Sequence, residues 1–312
     1  MSNTTDLTGD RGFQDIRESM YTVVFFLCAA VSVITTAGII VALILPTITF
    51  LGEVPMSEFF LGTQFSPAIQ PTVFGVLPLA FGTLLITFGA AMVAIPIGTL
   101  TALYLSEYAS ESRRAVLKPL LEILAGVPTV VYGYFALVYV TPLLDAIPGL
   151  ELGTFNALSA SLVMGIMIIP MVSSISEDSM NAVPDSVRNA AYGLGATKYD
   201  VSVGVVVPSA LSGIASSFIL ALSRAIGETM IVVVAAGQTA RFPETTSGLL
   251  NSFFVSTQTM TSAMVQLGTS DLAGGTTAYR ALFAIGLTLF VMTLVLNLVS
   301  DAIAARFRED YD

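Results

Sequence analysis

Residues 19–52 read SMYTVVFFLCAAVSVITTAGIIVALILPTITFLG, without one charged side chain. An α-helix rises about 1.5 Å per residue, so roughly 20 apolar residues cross a hydrocarbon core of about 30 Å. The stretch is long enough for one crossing. Four more charge-free runs follow: Phe59–Ser106, Ile123–Leu144, Leu152–Ser176 and Ala281–Ser300. A sixth apolar run, Val201–Ala240, holds only Arg224 and Glu228. Phe59–Ser106 has the length for two crossings, but three prolines and two glycines interrupt Phe59–Pro78. That part reads as an external loop or an interfacial helix, and the span itself as about Leu79–Tyr104. The fold class predicted is all-α: a polytopic membrane protein with six transmembrane helices.

Only 11% of the 312 residues are charged, against about 25% in a soluble domain, so most of the chain is not in water. The polar start, residues 1–20, is expected to be a cytoplasmic tail, followed by a six-helix domain over 21–304 and a second tail over 305–312. The first apolar run exceeds a signal-peptide core in length and lacks a small-x-small cleavage pattern, so it reads as a retained helix.

Positive charge orients the helices. Nine of the twelve Lys and Arg residues fall before helix 1, between helices 2 and 3, between helices 4 and 5, and after helix 6. Those four segments share one side in a six-helix arrangement. The loops after helix 1 (52–71) and helix 3 have no basic residue. Both termini are therefore expected in the cytoplasm, with the protein in the cell membrane.

Several chemistries are excluded. There is no histidine, which removes imidazole bases and metal ligands, and one cysteine, Cys28, which leaves no disulfide framework or cysteine zinc site. A net charge of −10 argues against nucleic acid as a partner. A phosphate-binding P-loop needs a lysine followed by Ser or Thr, but Lys118 precedes Pro119 and Lys198 precedes Tyr199. The chain has no nucleotide site of this kind, so an ATP-driven reading would imply a separate ATPase subunit; no cofactor is expected, and the protein reads as non-catalytic.

The polar cytoplasmic loop 177–208 reads as helix, turn, helix. Pro184-Asp185-Ser186 starts a helix, Gly195 breaks it, and Lys198–Val207 climbs back to Pro208. Small residues at Ala190, Ala191, Gly193 and Gly195 leave a smooth surface that another protein can approach; a plain connecting loop is the other reading. The segment resembles the E-A-A, three residues, G, nine residues, I-x-L-P loop of ABC importer permeases. Here it runs Asn189-Ala190-Ala191, then Gly195, then Val205-Val206-Val207-Pro208, with Asn189 departing from the family's glutamate. The resemblance implies a coupling helix that docks on a separate ATPase, and a type I importer permease fold.

Arg224 lies in the middle of helix 5, which is expected over about Leu211–Ala235. An arginine at mid-membrane costs at least about 2.5 kcal/mol, so it must face protein or water. Glu228 follows one helical turn later, and the two side chains are expected to be able to meet. Either the pair braces the bundle or it belongs to the transport path. An arginine fork suits an oxyanion, and Ser223 and Thr229 add hydroxyl donors.

Leu222-Ser223-Arg224-Ala225-Ile226-Gly227-Glu228-Thr229 resembles the S-R-A-x-G-E-T signature of phosphate-specific ABC permeases. Phe59–Thr63 with Phe65–Pro67, Phe74–Pro78, and the run Glu122-Ile123-Leu124-Ala125-Gly126-Val127-Pro128-Thr129-Val130-Val131-Tyr132-Gly133 carry the same likeness. It covers roughly Phe59–Ser300 and favours the C-type subunit (PstC) over its A-type relative (PstA). The resemblance implies an importer of inorganic phosphate in which Arg224 and Glu228 take part in passage. It also implies three partners besides the bilayer and phosphate itself: a second permease, an ATPase dimer, and an external phosphate-binding protein docked on loops 52–71 and 241–279. The alternatives are a permease for another oxyanion, sulfate or molybdate, and an ion-coupled secondary transporter acting alone. Pro96, Pro128 and Pro170 are candidate kinks or hinges, and Gly89, Gly126, Gly133 and Gly165 candidates for close helix packing.

Overall fold

The structure is a computed structural model and describes residues 11–243, 245–270 and 275–306. The first helix, α1 (Arg11–Glu53), already runs through the last ten residues assigned to the N-terminal tail. Residues 1–10 and 307–312, the rest of both expected tails, lie outside the described residues. A short helix α2 (Met56–Leu61) and an antiparallel pair, β1 (Phe65–Ser66) with β2 (Val73–Phe74), occupy the loop after α1, expected on the outer side. Helix α3 (Leu77–Leu103) continues into a π-helical turn to Tyr108.

Next come α4 (Glu111–Gly126), α5 (Thr129–Phe135), a π turn, and α6 (Thr141–Asp145). Helix 3, expected over Ile123–Leu144 with a candidate kink at Pro128, is sharply bent there. Its two arms meet at 88° across Val127-Pro128. Val127 is extended, as a residue before proline prefers, and Pro128 caps α5. Pro96 and Pro170, by contrast, stay inside unbroken helices.

Helix α7 (Ala157–Asn181) runs five residues into the segment assigned to the cytoplasmic loop. After it come α8 (Asp185–Gly193), α9 (Lys198–Val201), a π turn, α10 (Val207–Ser209) and α11 (Leu211–Ile226). The arms 198–209 and 211–226 meet at 67°. A π turn at Val232–Ala236, α12 (Thr246–Asn251), α13 (Met260–Thr269) and α14 (Thr277–Arg306) complete the chain. Among the described residues, α1, α3, α7 and α14 are each long and apolar enough to cross a membrane, and the two bent pairs, counted as one span each, bring the number to six.

The central seam is α3 against α7. Small residues set its spacing: a β-carbon added to Gly98 would lie 2.7 Å from Val172, and one on Gly165 2.8 Å from Val93. Gly89 faces Ser161 in the same seam, and Gly133 faces Ile231 and Val234. Gly126 has open space instead, so its expected packing role does not hold.

The second outer segment, 241–279, is not one exposed loop. Thr257, Gln258, Thr259 and Met260 are buried, and Met260, Ala263 and Leu267 join the core built on Phe50, Phe59 and Leu79. The Met260 N–H donates to the Thr83 hydroxyl at 3.0 Å, so this stretch is stitched into α3. Its Ser and Thr content, read as solvent exposure, instead supplies the hydroxyls that satisfy irregular backbone within the bundle.

Candidate substrate path and coupling surface

The sequence places Arg224 and Glu228 a turn apart on one helix; the structure ends that helix between them. Helix α11 stops at Ile226, with Gly227 as its cap. The terminal turn is tight, with Gly227 N–H donating to the Ser223 carbonyl at 3.3 Å and Glu228 N–H to the Ala225 carbonyl at 3.2 Å. Arg224 therefore sits in the last turn, where a cation complements the helix dipole. Glu228 is buried and turned away. Its carboxylate accepts the Met230 N–H at 3.1 Å, and its carbonyl accepts the Thr261 hydroxyl at 2.9 Å. No ion pair joins Arg224 to Glu228 among the described residues. The expected meeting of the two side chains does not occur, because the chain leaves the helix after Ile226 and Glu228 loses the register that would align it with Arg224.

The flanking hydroxyls diverge as well. Ser223 donates to the Asn297 side chain of α14 at 2.6 Å, and Thr229 to the Gly227 carbonyl at 3.3 Å. Neither adds a donor beside Arg224.

Arg224 instead lines a cavity of about 430 Å³ between α4, α7 and α11. Helix α4 contributes Lys118, Leu121, Glu122 and Ala125 to its wall. Helix α7 contributes Met167, Pro170, Met171, Ser174 and Glu177, recurring at the three- and four-residue steps of one helix face. Glu177 is fully buried. Arg114 pairs with one of its carboxylate oxygens, and the Lys118 ammonium lies 3.5 Å from the other. Two cations of α4 thus hold the one carboxylate that α7 carries into the protein, which meets the requirement that a buried charge be paired. Glu177 and Glu122 were missed as cavity residues by sequence reasoning. The signal was present: Glu177 continues the Met167–Ser174 spacing, but as the first charge after an uncharged run it reads as the loop's start.

The segment holding Asn189, Ala190, Ala191, Gly195 and Pro208 folds as the expected helix, turn, helix. Pro184 caps α8, and Gly195 adopts φ +86°, the left-handed conformation that favours glycine. Thr197 and Asp200 form a reciprocal capping box that starts α9. Val187 and Ala191, four residues apart, pack on the core of Ala102, Met180, Val183, Val201 and Val206. Asn189 and Ala190 face out, beside Tyr192 and a Leu194 that is 91% exposed. Pro208 lies in α10, at the bend back toward the bundle.

One residue ties this knob to the helices above it. Arg188 donates to the Val183 and Met180 carbonyls, each at 2.7 Å, and to Glu107 at 3.0 Å beyond the end of α3. Both side chains of that ion pair are largely buried. Arg188 thus joins α8 to the adjacent ends of α3 and α7.

The comparisons agree with this architecture. The family described as "Binding-protein-dependent transport system inner membrane component" matches residues 94–309. The chain is 30% identical over 249 residues to the probable ABC transporter permease protein YqgH of Bacillus subtilis, covering 80% of this chain and 78% of that one. It is 29% identical over 324 residues to the phosphate transport system permease protein PstC of Xylella fastidiosa, covering 96% and 95%. PstA 1 of Mycobacterium tuberculosis is 32% identical over only 177 residues, 57% of this chain. Among solved structures, a bacterial alginate ABC transporter in complex with a pentasaccharide-bound periplasmic protein superposes with a TM-score of 0.64 over 95% of this chain and 98% of that one, at 15% identity. Helix order, broken spans, an exposed α8 and these matches converge on a non-catalytic, multi-pass membrane component: the chain belongs to the binding-protein-dependent transport system inner membrane family, as a permease subunit of an ABC importer.

Proposed function

We propose that this chain is the C-type permease of an importer that moves inorganic phosphate into the cell. The observation that carries the reading is Arg224: an arginine without a carboxylate partner among the described residues, on the wall of a cavity and inside a stretch that resembles the signature of phosphate permeases. A guanidinium fork matches the oxygens of a tetrahedral anion, and an unpaired one keeps its donors available. The 29% identity to PstC across 96% of the chain supports the same substrate.

In this reading a second permease covers the open side of the cavity. An ATPase dimer docks on α8, with Asn189, Ala190, Ala191 and Gly195 at the contact, and an external binding protein delivers phosphate to the outer segments. Both termini lie in the cytoplasm, as the basic segments require. Closure of the ATPase moves α8, and Arg188 passes that movement to α3 and α7. Glu228 acts one step removed from the anion, by holding the break after α11 that sets the position of Arg224.

The test is uptake of radiolabelled phosphate by vesicles containing the whole importer. Arg224→Gln is expected to abolish uptake while the subunits still co-purify. Normal uptake by that variant, or sulfate uptake without phosphate uptake by the unaltered importer, rejects the assignment.

A further inference from the structure

The cavity between α4, α7 and α11 carries an uneven set of charges. Glu177 is matched to Arg114 and Lys118, and Lys118 also lies 3.8 Å from Asp178. Two charged residues of the same wall are left over, Arg224 from α11 and Glu122 from α4. Among the described residues, neither side chain has a hydrogen bond or an ion pair, and the two are not paired with each other within 4.0 Å. An unmatched donor fork and an unmatched acceptor therefore share one space.

A ligand that satisfies both must accept hydrogen bonds from a guanidinium and donate one to a carboxylate. Near neutral pH, phosphate and arsenate do both, because each keeps at least one proton on a tetrahedral oxyanion. Sulfate and molybdate carry none. They would meet Arg224 with the right oxygens but present a bare anionic oxygen to Glu122, at a repulsive cost. We infer that Glu122 is a specificity-determining residue, accepting the hydroxyl of a protonated tetrahedral oxyanion while Arg224 holds its ionised oxygens. The inference rests on the path reading above and deepens it, because it supplies the reason this cavity rejects the oxyanions that a lone arginine would admit.

The geometry agrees with transient occupation. Lys118, four residues before Glu122 on α4, is held by Glu177, so among the described residues the site presents one unpaired cation and one unpaired carboxylate instead of a cationic trap. An anion bound there gains a charge-assisted hydrogen bond on each side and no excess of positive charge.

The experiment uses the importer with all its membrane and ATPase subunits, nucleotide-free in detergent, and measures radiolabelled phosphate binding by equilibrium dialysis against arsenate and sulfate. In the unaltered complex, arsenate is expected to compete and sulfate not to. Glu122→Gln removes the anionic acceptor and supplies an amide donor. It is expected to weaken phosphate binding by about tenfold or more, the loss of one charged hydrogen bond, and to let sulfate compete. Gln keeps the size and shape of Glu122, so co-purification of the subunits is expected to be unchanged. If Glu122→Gln excludes sulfate as strongly as before, or if the unaltered complex binds sulfate as well as phosphate or binds no phosphate, the inference is overturned. The two readings separate at Arg224→Gln: if that variant loses phosphate uptake while Glu122→Gln keeps its selectivity, only the role of Glu122 falls. If Arg224→Gln transports normally, the path reading falls with it.

Discussion

Arg188 shows how much work one side chain can concentrate. Its guanidinium meets two carbonyls at the end of α7 and, 81 residues away in sequence, the Glu107 carboxylate. Removing one partner of a buried ion pair leaves an uncompensated charge, at about 3–5 kcal/mol. Arg188→Met is therefore expected to lower the thermal unfolding midpoint more than any other substitution on α8. Arg188→Lys keeps the charge opposite Glu107 but cannot span three acceptors, so it is expected to fall between Met and the unaltered protein. Exchanging the charges, with Glu107→Arg and Arg188→Glu together, is expected not to restore stability, because a glutamate cannot donate to Met180 and Val183. Recovery in the exchanged protein, followed by circular dichroism on heating, would show that the pair matters only as a pair. None of this was legible in the sequence. There, Arg188 counts only as a positive charge that orients the membrane, since no local pattern announces a partner so distant along the chain.

At the scale of elements, legibility depended on whether a break was local. The start of α8 at Pro184, its stop at Gly195 and the capping of α9 are all written in adjacent residues, and the structure keeps them. Gly195 has φ +86° and nothing within 4 Å of where a β-carbon would sit, so a substitution there strains the backbone without a clash. Gly195→Ala is expected to destabilise the α8–α9 turn by about 1–2 kcal/mol, the cost of a left-handed conformation for an L-residue, and to speed amide exchange in α8. Gly193 is equally uncrowded but has no positive φ. Gly193→Ala is expected to slow exchange there, since alanine is the better helix former by about 1 kcal/mol. Equal behaviour of the two variants would contradict the conformational argument. The break after α11 is different in kind. Gly227 has an ordinary φ of −83°, and Arg224 and Glu228 stand at the spacing of a continuous helix. What holds the break open is the Thr261 hydroxyl on the Glu228 carbonyl, from a segment 33 residues later that sequence reading left outside the bundle. The error about the outer loop and the error about the Arg224–Glu228 pair are thus one error.

For the whole molecule, hydropathy and charge gave the number of crossings, but not which surfaces meet lipid and which meet protein. The chain alone leaves Arg224 and Glu122 exposed, α4 without a buried residue, and Val130, Val131, Tyr134 and Phe135 of α5 uncovered. Lipid can cover the apolar residues, but an arginine against hydrocarbon costs at least about 2.5 kcal/mol, so the charged wall requires a second protein or water. This sets up a reversal of sign between the lone chain and the assembly. Purified alone in detergent, the double variant Glu122→Leu with Arg224→Leu is expected to unfold at a higher temperature than the unaltered chain, because it removes two charges that have no ion pair among the described residues. In the assembled importer the same variant is expected to lose phosphate uptake altogether, since the residues that burden the isolated subunit would be the ones that meet the anion. A lone chain that is destabilised by the double change would mean that these side chains brace the fold. The cavity would then be structural, and the path of the substrate would have to be sought elsewhere in the bundle.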